Sequence, residues 1–93
     1  MMMTYNYKYI EGLLLRLIGM LAGVCTDSEV NEVRYFVDAG EYGVALETLV
    51  DIVNEEDKQI SSESLNLICE LAREMQFDKS VFEDRLRGHV SDG

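Results

Sequence analysis

The sequence has no proline, a single histidine, two cysteines and few bases: 8 Lys and Arg stand against 18 Asp and Glu. Each shortage excludes something. No Pro- or Ser-rich stretch and no internal repeat divides the 93 residues, so residues 1–93 are expected to form one domain. The net charge of −10 disfavours nucleic acid and anionic membrane surfaces as direct ligands, because both are held by Lys and Arg. It favours solubility and attraction to basic proteins. His89, the lone histidine, lies near the C-terminal end with nothing in the sequence to aim it, which makes it a poor general base. One His and two distant Cys give no zinc spacing, and neither metal nor cofactor is expected. Cys25 and Cys69 each sit among apolar residues, as reduced and buried thiols do, and this usage points to the cytoplasm. Long hydrophobic runs are missing too. LLLRLIGMLAGVC imitates an export signal, but Arg16 interrupts it and Val24 stands where a lipidation signal needs a small residue. The run is also too short to span a bilayer.

What is present is helical periodicity. Apolar residues at 47% and charged residues at 28% suit a globular chain. Ile10, Leu14, Leu17, Ile18 and Leu21 follow a 3.6-residue stripe within a first helix expected over about 5–22. Leu13, Leu15 and Met20 widen that stripe, as in a helix touched from several sides. Gly23 is placed to end it. Thr26 and Glu29 have capping-box spacing ahead of a second helix with Val30, Val33, Phe36 and Val37 inward. Gly40 is the expected stop. A third helix over about 41–54 buries Tyr42, Ala45, Leu46, Leu49, Ile52 and Val53. Ser61 or Ser62 caps a fourth, lined by Leu65, Ile68, Cys69, Ala72 and Met75. A short fifth follows Asp78, uses Val81, Phe82 and Leu86, and stops at Gly88. HVSDG is expected to fray. No stretch alternates at period two. The expected fold is all-α: a compact bundle of four helices plus a short C-terminal helix.

Catalytic constellations are scarce. No glycine-rich phosphate loop follows a strand. DAGEYGVALE lacks the alternating acidic ligands and placed glycine of a calcium loop. Asp27-Ser28 at the start of the second helix has the look of an acyl-carrier attachment site, but Glu29 follows where carriers have Leu, and a helix cap explains the pair.

The charge is unevenly placed. Residues 38–74 hold ten acids and two bases and carry −8 of the −10, while each flank holds four acids and three bases. From Asp38 to Asp57 there is no Lys or Arg. Glu47, Asp51 and Glu55 repeat at four-residue spacing, where like charges cost a helix a few tenths of a kcal/mol per pair. Asp51, Glu55, Glu56 and Asp57 crowd a helix C-terminus, where the macrodipole disfavours anions. A solvated face is the plain reading. The other is a docking surface, because carboxylates on a rigid helix speed and orient encounter with a basic partner. Tyr42, Tyr35 or Phe77 would supply an aromatic anchor, unless Tyr42 is a core tyrosine at a helix start.

The segment VRYFVDAGEYGVALETLVDIVNEEDKQISSESLNLICELAREMQFD resembles the immunity proteins of the MafI type, encoded beside polymorphic or contact-dependent bacterial toxins. The likeness rests on Gly40, Glu41, Tyr42, Gly43, Ala45, Leu46, Glu47 and Leu49, then Ile60, Ser61, Leu71, Ala72 and Met75, and it covers about half the chain. It implies a cytoplasmic antitoxin, not an enzyme, that neutralises a cognate toxin. Such toxins are often basic nucleases, including RNases of the EndoU type. The expected toxin-binding residues are Glu41, Tyr42, Glu47, Asp51, Glu55, Glu56 and Asp57. The competing readings are a generic acidic helical adaptor or a homodimer that hides the apolar first helix, and, further off, an acyl-carrier-like protein.

Overall fold

Capping chemistry divides the chain into its helices. A computed structural model describes residues 6–92. It contains α1 (Tyr7–Met20), α2 (Asp27–Asp38), α3 (Tyr42–Glu55), α4 (Ser62–Glu74) and α5 (Lys79–Leu86), followed by a 3₁₀ turn at Arg87–His89. The side chain of Asn6 accepts from the Tyr9 N–H to start α1, Thr26 and Glu29 form a reciprocal capping box on α2, Ser61 caps α4 and Asp78 caps α5. α3 differs: Glu41 stands at its N-cap and makes no side-chain cap bond.

Three helices end in the same way. The N–H groups of Glu41, Lys58 and Phe77 reach back to the carbonyls of Phe36, Val53 and Ala72, and those of Gly40, Asp57 and Gln76 to Val37, Asn54 and Arg73. These are Schellman closures, and each needs a left-handed residue. Gly40 supplies it at φ +76, whereas Asp57 (φ 53) and Gln76 (φ 62) do so without being glycine. α1 does not end at Gly23. Its last carbonyls are taken up by Leu21, and Val24 and Cys25 donate back to Leu21, a turn held shut because Leu21 and Cys25 are both buried.

α1 is the central helix: Ile10, Leu14 and Leu17 have no exposure, and it packs on α2, α3 and α4. α2 lies on α3, and α5 rests on α3 and α4. The apolar face of α1 is therefore consumed within the chain, although Leu15 remains 38% exposed. Val81, expected inside, is 51% exposed, so Phe82 and Leu86 alone seat α5 in the core. All-α architecture, four longer helices and a short fifth are as the sequence predicts.

The C-terminal stretch departs from expectation. Instead of stopping a helix, Gly88 lies within the 3₁₀ turn. The residues after it are docked, not frayed. Ile60 donates to the His89 carbonyl at 2.7 Å and the Ser91 N–H returns to the Ile60 carbonyl at 2.8 Å, an isolated parallel bridge between residues 60 and 90. Val90 packs on the core, and an Asp92 oxygen accepts from the Ser62 N–H, which α4 leaves without an intrahelical partner.

Candidate functional site

α3 positions the acidic residues by burying its other side. Ala45, Leu46, Leu49, Val50, Ile52 and Val53 are in the core, which forces Glu47, Asp51 and Glu55 outward along one line of the helix. Glu56 and Asp57 continue the acidic run through the closure of α3, and Glu41 stands at its start. Glu41, Glu47, Glu55, Glu56 and Asp57 are exposed; Asp51 and Tyr42 are half-buried.

These residues do not behave alike. Asp51 is engaged within the chain: its carboxylate takes a charged hydrogen bond from the Arg85 guanidinium of α5, while the Asn54 amide donates to the Arg85 carbonyl at 2.8 Å. The expectation of an unneutralised strip is thus corrected at Asp51, whose counter-ion comes from a helix 34 positions away. Asp57 lies 3.4 Å from Nδ1 of His89, whose ring also reaches the Lys58 carbonyl at 3.0 Å. His89 is a fixed, mostly covered ring rather than part of a loose tail.

Lys58 follows directly on the acidic run, yet it does not neutralise it. Its ammonium turns to Glu29 at 3.1 Å, and both side chains are more than 80% covered. Glu29 is held below the usual glutamate range by the Thr26 backbone N–H first and by Lys58 second. Lys58 is therefore committed to joining the start of α2 to the end of α3. Among the described residues, Glu41, Glu47, Glu55 and Glu56 have no ion pair, and neither Arg34 nor Arg73 supplies one.

Beside the start of α3 lies a groove of about 430 Å³, lined by Tyr7 and Ile10 of α1, Gly40 to Val44, and Met75 and Phe77 after α4. Tyr42 forms a wall of it, with its ring centroid 6.0 Å from that of Tyr7. It is neither a protruding anchor nor a fully buried core tyrosine. A Cβ on Gly43 would sit 3.0 Å from the Phe77 ring, so the missing side chain lets Phe77 approach α3. Among the described residues, Glu41 is the one charged residue lining the groove. No spacing in the sequence marks this groove, because its lining comes together only through tertiary packing.

The cysteines are buried and unpaired with one another. Burial, before any charge, pushes both thiols above their ordinary value, which suppresses the nucleophilic thiolate. Among the described residues no group of three or more His, Cys, Asp or Glu is arranged to hold a metal ion, and no helix is long and apolar enough to cross a membrane. No family model, curated protein or solved structure matches the chain.

Proposed function

We propose that the protein is an immunity protein that binds and neutralises a basic toxin domain, a nuclease by preference, through the outer face of α3. The observation that carries this reading is the distribution of counter-ions. Arg85, which packs against the acidic run from α5, and Lys58, which follows it in the chain, are spent on Asp51 and Glu29. Among the described residues Glu47, Glu55 and Glu56 are left exposed without an ion pair, along and just past a helix whose other side is fixed in the core. Carboxylates borne on a fixed helix attract and orient a cationic surface. Nuclease clefts are cationic because they hold phosphates. The resemblance of residues 33–78 to MafI-type immunity proteins supports the choice of a toxin as the partner.

A generic acidic adaptor is the competing reading. The experiment that separates them is co-expression with a nuclease domain encoded by a neighbouring gene, followed by co-purification and an RNA cleavage assay. The proposal expects a stable complex and loss of cleavage at equimolar protein. Full cleavage with no complex would overturn it.

A further inference from the structure

We infer that Tyr35, on the outer face of α2, is an aromatic platform for an arginine of the basic partner, flanked by Glu32 and Asp38. The inference rests on the proposed function and extends its acidic face from α3 to the helix packed beside it. α2 is held in the fold without Tyr35. Val33 and Val37 are buried, and Val30 and Phe36 complete the contact with the core. The helical period then turns Tyr35 away from that contact. At 68% it is the most exposed large hydrophobic side chain among the described residues. One exposed ring is ordinary on a protein surface; the surroundings of this ring set it apart.

Tyr9 and Tyr42 are engaged within the chain: the Tyr9 hydroxyl donates to Glu70, and the Tyr42 ring stands against Tyr7. The Tyr35 hydroxyl bonds to no described residue, and its ring meets only the neighbouring Phe36, at 5.5 Å between centroids and nearly edge-on. Glu32 and Asp38 stand three positions before and three after Tyr35, the spacing that puts side chains on one side of a helix. Both are exposed, and neither has an ion pair among the described residues. Arg34, the one base of α2, pairs with neither. A cation is drawn both to the ring face and to the carboxylates. Arginine serves both at once, because a planar guanidinium lies on the ring and still donates from its edge, whereas an ammonium is a hydrated point charge. A tyrosine, with two side-chain torsions, is ordered at small cost in such a contact.

The test uses a capped arginine-rich peptide and its lysine counterpart of equal length and charge. Each is titrated into the isotope-labelled full chain at low salt and followed through the backbone amides and the Tyr35 ring. The arginine peptide is expected to shift Glu32, Tyr35 and Asp38 and to bind about fivefold tighter than the lysine peptide. Tyr35→Ala abolishes that preference with the helical circular dichroism unchanged, since the ring is not part of the core. Tyr35→Phe keeps it, because the ring face and not the hydroxyl carries the contact. Equal binding of the two peptides, unaffected by Tyr35→Ala and with shifts confined to Glu47, Glu55 and Glu56, would overturn the platform and leave the α3 face standing. Shifts confined to α2, with the arginine preference lost in Tyr35→Ala, would support the platform and count against the α3 face. Binding of neither peptide would count against both.

Discussion

Two of the three left-handed closure residues are not glycine, and this sets a prediction at the scale of single residues. Gln76 is exposed and holds φ 62 at the end of α4. Left-handed backbone costs a non-glycine residue about 1 kcal/mol. Gln76→Gly is expected to stabilise the protein by about 1 kcal/mol, which thermal unfolding would register as a rise of roughly 4–8 °C. No gain in Tm would mean that the turn is not strained. Glu29 gives a second prediction, in pH. Its carboxyl is depressed in the folded state by the Thr26 N–H and then by Lys58. A depressed group contributes stability that is fully present above its unfolded value, ordinarily 4.5, and that is lost as pH falls through the folded value. Glu29→Gln is therefore less stable than wild type at neutral pH, and the difference closes as pH drops below the glutamate range. Denaturant unfolding at a series of pH values reads the difference directly; a gap constant in pH would contradict this account of the charge.

Helices are where the sequence is most legible, and the linkers least. Capping residues Thr26, Ser61 and Asp78 and the stop at Gly40 can be read from spacing, because each satisfies backbone groups within a few positions. Gly23 and Gly88 mislead for the complementary reason. α1 is closed by burial of Leu21 and Cys25, and residues 89–92 are ordered by Ile60 and Ser62, none of which local spacing can reveal. Docking of the C-terminal stretch is itself testable. Ending the chain after Gly88 removes two backbone hydrogen bonds to Ile60, the Val90 contact and the Asp92 tie to α4. A loss of about 2 kcal/mol or more is expected in denaturant unfolding, taking one buried valine and one net hydrogen bond as the minimum. A stretch that merely frayed would lose nothing on truncation.

For the molecule as a whole, the sign and address of the charge are plain in the sequence, since residues 38–74 carry −8 of the −10. Which carboxylates remain available is not. Arg85 reaches Asp51 from another helix, and Lys58 turns from the acids beside it to Glu29, so of the expected docking acids Glu41, Glu47, Glu55 and Glu56 are without an ion pair among the described residues, with Asp57 against His89. The groove is equally hidden from the sequence, because its walls come from three separate parts of the chain. The most direct test of the proposed acidic docking face is stopped-flow association with the proposed partner, a basic nuclease domain, at several salt concentrations. Wild type, the double reversal Glu47→Lys with Glu55→Lys, and Asp51→Asn are compared. The account predicts association slowed at least about tenfold by the reversal at low salt, a flattened salt dependence, and a much smaller change for Asp51→Asn, whose carboxylate is already engaged by Arg85. Association rates unchanged by the reversal, with the helical circular dichroism intact, would contradict it.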